Sequence, residues 1–565
     1  MYVIDESDMT LVQILTFEQS GGTANNWWAK LEGMSSTSVT LGRDSNQALG
    51  IGQFAIDFLA GSLGPGPSEK VLERVRWFHT DAVLCGVSAL AMGTNAPTVL
   101  RHEALAYPSA DPSQAAMVFG SNQGVMPEKA ILANSAAVRE WDSNGTNFGF
   151  RPETGHTAGE FGHNDFYPVV IAACQQKGLD GATALRAMVL LDEIRGRLAE
   201  VFSLKSYKID HVVHGAIGSA ATYGALMGAS AEEIESAIGM FVAHYIPWRA
   251  IRAGKQLSDS KGASAAISTE AAILCMKRSM AGFRGPRDIF RNPEAIWRFF
   301  EPTTEGAARW KESGDSPFDL ILSHSGDDFA VMGMHFKLGL YEHQSAGALQ
   351  GGINLVAAQP ELVANGLAGI EKITILAYEP AFGIIGNPMK KEPKTRQSAD
   401  HSMAFIVSIL LKKACKWYAE HGSLPTEGGA HDGMWKALML DPWDYQESES
   451  AIFDPEVRAL MQRIDFQHGG AEYDAKYPDG IPTSISINGS DSGLVMYPAG
   501  HARNTTADLG DILRHKWALM AGLALPEGAD GQAFVDRFEG IGGMDGFEIS
   551  SLYDFELGVI EGYEE

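Results

Sequence analysis

The segment from His214 to Ser230, HGAIGSAATYGALMGAS, carries glycine or alanine at most of its positions. Glycine destabilises an isolated helix by about 1 kcal/mol relative to alanine, so such a segment is expected to be helical only where two helix backbones pack closely. The residues from Ser230 to Glu233 have the spacing of a capping box, which predicts that a further helix follows toward Met240. The sequence therefore predicts a helical core with short distances between its helices.

Three further segments of the N-terminal half have helical patterns. Apolar residues recur every three to four positions from Ala187 to Leu198, and the stretch from Ser68 to Leu90 has a similar apolar face. A third, alanine-rich helix fits Lys261 to Met280. The chain up to about Pro302 is therefore predicted to be mostly helical.

Strand patterns first occur beyond this point. The residues from Lys372 to Tyr378 alternate between apolar and polar, and so do those from Ser484 to Ile487. Asn488-Gly489 is a hairpin turn signal, which predicts a partner strand at Leu494 to Tyr497.

A helix predicted at His401 to Tyr418 lies between these strands. Residues of roughly 335–500 are therefore expected to form an α+β unit. The segment from Asp508 to Leu525 is again helical in pattern and is expected to rejoin the first helices. A chain of 565 residues exceeds what one core usually supports, which also predicts two domains.

Composition excludes several functional classes. The formal charge of −26 argues against binding to nucleic acids and to anionic membranes. The cysteines form no CxxC pair, so neither a disulfide framework nor a zinc or iron–sulfur site is indicated. The first basic residue, Lys30, follows several acidic ones, which argues against a signal peptide and against an Arg-rich transit peptide. No apolar run is long enough for a membrane span. We expect a cytoplasmic protein with reduced thiols.

The stretch from Arg139 to Pro168, REWDSNGTNFGFRPETGHTAGEFGHNDFYP, combines ionisable groups with glycines that interrupt any helical period. Its aromatic residues favour burial over disorder. Histidines and carboxylates on a buried, ordered loop indicate proton transfer. Its candidate residues are Asp142, Thr146, His156, Glu160, His163 and Asp165.

Basic residues cluster between Trp248 and Ser264 in this acidic chain: Arg249, Arg252, Lys255 and Lys261. They form either a solvated helix end or a site that clamps carboxylates.

Histidines at three other places are candidates too. His211 and His214 lie just before a glycine-rich helix start, where backbone N–H groups favour an anion, although an isolated histidine is more often a core residue. His335 precedes Lys337 at the proposed domain junction, where ligand clefts are common. Gly500 permits a tight turn that would direct His501 and Arg503 toward the helices.

Together, the motifs REWDSNGT…GEFGHNDFYPVV, DHVV…GSAA, SDSKGASAA and YPAGHAR resemble the MmgE/PrpD family, in its branch that dehydrates 2-methylcitrate, over about residues 50 to 525. The resemblance implies a predominantly α fold. A large all-helical domain would be built from both chain ends, 1–334 and 503–565, with a smaller α+β lid domain inserted at 335–502. It also implies a homodimer and a reaction that requires no cofactor and no metal.

The resemblance assigns roles to Asp142, Thr146, His163, His211, Lys261 and Lys337. His163 would transfer a proton, with Asp142 orienting its ring, and His211 and Lys261 would complete the catalytic group. Thr146, Arg252, Lys337 and Arg503 would bind the substrate. His156 and Glu160 receive no role.

The implied reaction is the removal of water from a small tricarboxylate, 2-methylcitrate, giving 2-methyl-cis-aconitate in the methylcitrate cycle of propionate catabolism. Acid–base groups and clustered positive charge would carry it. Related alternatives are decarboxylation of cis-aconitate and hydration chemistry on citrate or aconitate. Against decarboxylation, the decarboxylases' lid tyrosine has no counterpart, because Pro380 to Gly383 offers only Phe382. A helical binding protein without activity is the alternative outside enzymes.

Overall fold

The computed structural model describes residues 37–147, 162–252, 256–299, 314–504 and 506–564. In chain order its α-helices are α1 (Gln47–Ala60), α2 (Glu69–Ala91), α3 (Asn95–Leu105), α4 (Pro127–Arg139), α5 (Tyr167–Lys177), α6 (Gly181–Val201), α7 (Val212–Met227), α8 (Ala231–His244), α9 (Asp259–Gly262), α10 (Ser264–Met280), α11 (Ile296–Phe299), α12 (Ala346–Ala358), α13 (Arg396–Ala399), α14 (Met403–His421), α15 (Asp432–Ala437), α16 (Pro455–Gln462), α17 (Gly470–Asp474), α18 (Leu509–Ala524), α19 (Gly531–Glu539) and α20 (Gly546–Ser550). Its strands are β1 (Ser38–Leu41), β2 (Ala116–Met117), β3 (Gly124–Val125), β4 (Leu320–Ser323), β5 (Ile373–Ala377), β6 (Ile464–His468), β7 (Thr483–Ile487) and β8 (Ser490–Asp491).

Helix α7 is the buried centre of the helical part and packs against α6, α8 and α10. Its glycines permit this packing. A Cβ at Gly215 would lie 2.0 Å from the Phe166 ring, and one at Gly224 would lie 2.7 Å from the sulfur of Met276 on α10. The predicted close approach of helices is therefore confirmed.

The other helix predictions for this part hold with small shifts. The capping box of Ser230 and Glu233 is present at the start of α8. The helix predicted to start at Lys261 instead begins at Asp259 and is interrupted at Ala263, which separates α9 from α10.

The strands of the second unit form a sheet in the order β6-β5-β7-β8, with β5 parallel to β6 and antiparallel to β7. Helix α12 packs against β7, and α14 packs against α12. Burial alternates along β5, as its sequence pattern predicts.

The strand predicted at Leu494 to Tyr497 is wrong. Asn488 and Gly489 both have positive φ, 51° and 88°, and form a tight turn that leads at once into the two-residue strand β8. Gly493, at φ 72°, then turns the chain, so that Val495 meets Thr483 in an isolated bridge and the carbonyl of Met496 accepts from Ile481 N–H, without a continuous strand.

Helix α18 near the C-terminus packs against α2 and α19, so the tail rejoins the first helices as predicted. Lys516 on α18 is fully buried and binds Asp81 on α2. The predominantly α fold is thus confirmed, whereas the lid domain and its boundaries stay predictions. All four cysteines are buried free thiols.

Among the described residues, no single helix combines the length and apolarity that crossing a membrane requires. The pair α2 and α3 meets these criteria only when taken together across a 90° bend.

The packing around α7 predicts that replacing one of its glycines lowers the stability of the protein, whereas the same replacement at an open position on another helix does not. Gly215→Ala would force its Cβ against the Phe166 ring and should destabilise the protein by about 1–3 kcal/mol. Gly522→Ala on α18, where no atom lies within 4 Å of the added Cβ, should be neutral or stabilise by up to about 1 kcal/mol. Thermal unfolding of both variants beside the wild type measures this. Equal melting temperatures for both variants would contradict the close packing of α7.

Candidate active site

The buried carboxylate of Asp142 is the centre of a charged cluster. Asp142 follows α4, has a φ of 49°, and its side chain is 1% exposed. It forms ion pairs with Arg139 and Lys337, with Lys261 Nζ at 3.1 Å, and it approaches His401 Nε2 at 3.2 Å. Burial raises the pKa of Asp142, but these cations outweigh that effect and hold it well below its usual range. Four separate segments of the chain therefore meet at one carboxylate.

The two lysines of the cluster are buried as deeply as Asp142. Burial lowers the pKa of Lys261 to about 8, although Asp142 and Asp400 act in the opposite direction. Burial also lowers the pKa of Lys337. A lysine that titrates near neutral pH can both hold an anion and exchange a proton.

His163 contacts Arg139 and not Asp142. Its Nε2 lies 3.1 Å from Nη2 of Arg139. A guanidinium offers only donors, so Nε2 accepts and the ring proton is assigned to Nδ1. The predicted orientation of the ring by Asp142 is therefore replaced, because Arg139 stands between the two and binds both.

Burial, followed by the neighbouring Arg139, lowers the pKa of His163 well below its usual value. Its Nδ1 is buried without a hydrogen-bond partner among the described residues. His163 is thus a neutral imidazole with a free N–H to offer to a ligand.

Asp400 and His401, in the break between α13 and α14, form a second layer of the cluster. The Asp400 carboxylate binds Nδ1 of His401, and Arg396 Nη1 lies 3.2 Å from its other oxygen. Arg396 is itself held by the carboxylate and the carbonyl of Glu140. Burial and the Lys261 ammonium lower the pKa of His401 to about 4, although the Asp400 carboxylate acts in the opposite direction.

Sequence reasoning missed Arg139 and this Asp–His pair. The signal for Arg139 was its position three residues before Asp142, a spacing at which side chains meet across one helical turn. Asp400 and His401 directly precede Ser402, which caps α14. The sequence shows that cap but not which carboxylate lies opposite the imidazole.

Thr146 lies beside His163, at the opposite end of the same loop. Its backbone forms bridges with His163 and His335, including a hydrogen bond of 3.0 Å from Thr146 N–H to the carbonyl of His335. Its hydroxyl is buried and has no partner among the described residues. Like His163 Nδ1, it is a polar group available to a ligand.

His211 is also brought to the site, since its ring lies 5.8 Å from that of His163. Burial lowers its pKa well below the usual value, with Asp210 acting against this effect. Arg252 forms an ion pair with Asp210. Asp210 therefore lies between the two residues: it binds the guanidinium of Arg252 and approaches Nδ1 of His211 at 3.7 Å.

The structure does not bring Arg503 to the Asp142 cluster. Its half-exposed side chain pairs with Asp479 and lines a cavity of about 220 Å³. A role for Arg503 in binding substrate stays a prediction. His214 donates from Nε2 to the carbonyl of Phe202, as a core histidine does. Three candidates lie outside the described residues: His156, Glu160 and Lys255.

One group of side chains has the composition of a cation site. Ligand atoms of Asp142, Asp400 and His401 lie within 4.8 Å of one another. The Lys261 ammonium already takes this position, at 3.1 Å from Asp142, 3.3 Å from His401 Nδ1 and 3.8 Å from Asp400. These residues therefore fit an ammonium group, which supplies the positive charge that the two carboxylates need.

Comparison with known proteins agrees with the motifs. Residues 57–307 match the MmgE/PrpD N-terminal domain. The chain is 23% identical over 394 residues to a 2-methylcitrate dehydratase of Escherichia coli (strain K12), covering 68% of this chain and 74% of the relative. It is 22% identical over 446 residues to a protein of the same name from Salmonella typhi, covering 77% and 83%. The predicted resemblance to this family is confirmed.

The cluster predicts a large effect of neutralising its central carboxylate. Asp142→Asn would leave Lys261, Lys337 and Arg139 without their shared counterion, and breaking a buried ion pair costs roughly 3–5 kcal/mol. Asp319→Asn is the matched control, because its pair with Arg43 is 42–50% exposed and such pairs contribute less than about 1 kcal/mol. Denaturant unfolding of both variants compares the two losses. Similar losses would contradict the central place of Asp142.

Proposed function

We propose that this chain, a relative of the MmgE/PrpD dehydratases, is a hydro-lyase acting on a small tricarboxylate, with 2-methylcitrate as the expected substrate. The observation that carries the proposal is the buried concentration of positive charge around Asp142. Arg139, Lys261 and Lys337 converge there from three separate segments. In a dry site, fixed cations stabilise developing negative charge far more than they do in water. The names of the relatives support the same reaction class.

Dehydration of 2-methylcitrate requires three things of the protein. A base takes the proton from the carbon next to a carboxylate, and positive charge stabilises the carboxylate as that bond breaks. The electrons of the C–H bond form the double bond, and the hydroxyl leaves with an added proton as water. The products are 2-methyl-cis-aconitate and one water molecule.

The lysines are suited to two of these tasks. The ammonium groups of Lys261 and Lys337 are placed to hold substrate carboxylates, with Asp142 as the counterion that keeps them charged in the absence of substrate. Lys261, with its pKa lowered to about 8, is also suited to protonate the leaving hydroxyl.

His163 and Thr146 offer hydrogen bonds to the same substrate. The Nδ1–H of His163 and the hydroxyl of Thr146 are both buried without a hydrogen-bond partner among the described residues. Because Arg139 occupies the lone pair of His163 Nε2, His163 acts in this arrangement as a donor to the leaving hydroxyl or to a carboxylate. The expected homodimer and the roles of His211 and Arg252 stay predictions.

The proposed function is tested by assaying the purified protein with 2-methylcitrate, citrate and cis-aconitate. We expect a rise in ultraviolet absorbance from the new double bond with 2-methylcitrate, and no carbon dioxide release from cis-aconitate. Release of carbon dioxide would instead indicate a decarboxylase. Calorimetry that detects no binding of any of the three acids would favour a binding protein with another ligand.

Replacing His163 separates its function from its structural contribution. His163→Ala removes the imidazole that Arg139 contacts and that is proposed to donate to the substrate, and it should lower kcat by about 10²–10⁴-fold. Stability should fall by about 1–3 kcal/mol, because the buried guanidinium of Arg139 loses an acceptor, so turnover is measured under conditions in which circular dichroism shows the variant to be folded. His102→Ala, an exposed position on α3, is the control and should leave turnover unchanged. Near-normal activity of His163→Ala would contradict the assignment.

The lowered pKa of Lys261 predicts the alkaline limb of the pH profile. Lys261 must be protonated both to hold a carboxylate and to donate a proton, so activity should fall as pH rises through about 8. In Lys261→Arg, whose guanidinium stays protonated at this pH, substrate binding should persist above pH 8 while turnover drops, because an arginine does not release its proton. The measurement is kcat and KM from pH 6 to pH 10. A wild-type profile that stays flat to pH 10 would exclude this role.

A further inference from the structure

The proposed reaction needs a base for the carbon-bound proton, and Glu342 is a carboxylate that lies beside the Asp142 cluster. It follows Lys337 in the chain, and its backbone N–H donates to the carbonyl of Asp400 at 2.9 Å. Lys337 and Asp400 both belong to segments that carry charged groups of the cluster. The side chain of Glu342 therefore starts at the place where these two segments meet.

The two oxygens of the Glu342 carboxylate have different surroundings. Oε2 accepts from the backbone N–H of Gln344 at 2.8 Å, which fixes the side chain at the start of the short 3₁₀ turn His343–Ser345. Oε1 forms no hydrogen bond or ion pair within the described part of the chain. Glu342 is only partly buried, whereas Asp142 and Lys337 are buried. Glu342 thus has one oxygen that holds it in place and a second that is free to take a proton.

The charges around Glu342 favour exchange of a proton near neutral pH. Burial, followed by the Asp142 carboxylate, raises the pKa of Glu342 to about 7, although Lys337 and Lys261 act in the opposite direction. Tyr378 also lies near Glu342, and it stays neutral because burial raises its pKa well above the usual value. The lysines that would hold the substrate are therefore the same ones that act on Glu342.

We propose that Glu342 is the base that takes the carbon-bound proton of the tricarboxylate; this inference rests on the proposed function. The C–H bond breaks, its proton goes to Oε1 of Glu342, and its electrons form the carbon–carbon double bond. The C–O bond breaks, and the hydroxyl leaves as water with a proton from Lys261. Glu342 then releases its proton to the solvent and Lys261 takes one up, so that no proton is gained or lost overall.

These two roles predict a bell-shaped pH profile for kcat. Glu342 must be ionised to take a proton, so kcat should rise as pH increases through about 7. Lys261 must keep its proton until the hydroxyl leaves, so kcat should fall again as pH passes about 8. The acidic limb of this profile is the property that a purely structural role of Glu342 would not affect.

Glu342→Gln separates the base from the structural contribution of this residue. The amide oxygen still accepts from the N–H of Gln344, but an amide does not take up a proton at this pH. We expect kcat with 2-methylcitrate to fall by about 10²–10⁴-fold, with KM changed less than about threefold because the cations remain. The residual activity should no longer show the acidic limb near pH 7.

Two further variants complete the test. Glu342→Asp keeps a carboxylate but withdraws it by one methylene, so its kcat should lie about tenfold or more below the wild type and above that of Glu342→Gln. Asp180→Asn is the matched control, because the exposed Asp180 caps α6 by accepting from Thr183 N–H at 2.8 Å. This control should leave turnover unchanged.

The outcomes distinguish this inference from the proposed function. If the wild type dehydrates 2-methylcitrate but folded Glu342→Gln retains a third or more of its kcat, the base is another group and the function stands. An acidic limb that persists unchanged in Glu342→Gln also overturns the inference. If circular dichroism shows that Glu342→Gln does not fold, Glu342→Asp decides, and a kcat within threefold of the wild type overturns it. If the wild type acts on none of the three acids, the proposed function fails, and this inference fails with it.

Discussion

The ion cluster around Asp142 is the interaction on which the arrangement of this protein depends. One buried carboxylate accepts from Arg139 on α4, from Lys261 on α9 and from Lys337. Lys261 and Lys337 lie 119 and 195 residues after Asp142 in the chain. Each buried charge would be very costly without its partner. The cluster therefore forces the segments to meet at one place, and it keeps positive charge where an anionic substrate could use it.

A second buried pair supports the turn that carries Asp142. Lys516 on α18 binds Asp81 on α2 and also donates to the carbonyls of Ser143 and Lys337, on either side of the cluster. The tail of the chain thus helps to hold the turn that carries Asp142. The glycines of α7 serve the same end, because close packing of α7 against Phe166 fixes the segment that follows His163.

Sequence patterns predicted the parts of this structure that depend on near neighbours. The capping box at Ser230, the alternation along β5 and the close packing of α7 follow from spacings of a few residues, and all three are present. The ends of the irregular segment, Asp142 and His163, were expected to be buried, and both are. The first three predictions succeeded because they depend on residues that are near neighbours in the sequence.

The failures concern contacts between distant segments. The sequence cannot show that Arg139 binds both Asp142 and His163, since Arg139 and His163 are 24 residues apart in the chain. Asp400 and His401 look like residues before a helix cap, and only the fold places them against Asp142. Arg503 forms an ion pair with Asp479 and lines a cavity of about 220 Å³, and its expected role in binding substrate stays a prediction. The charge of a residue is enough to make it a candidate, but its position depends on the ion pairs and hydrogen bonds that it forms in the folded protein.

The central claim is that the cations around Asp142 hold a tricarboxylate. A crystal structure of His163→Ala soaked with 2-methylcitrate tests it most directly, because this variant should bind the substrate without consuming it. The account predicts carboxylate oxygens within about 3.2 Å of Nζ of Lys261 and of Lys337, the usual range for charge-assisted hydrogen bonds. A ligand seated only in the cavity beside Arg503, with Asp142 and its three cations undisturbed, would contradict it.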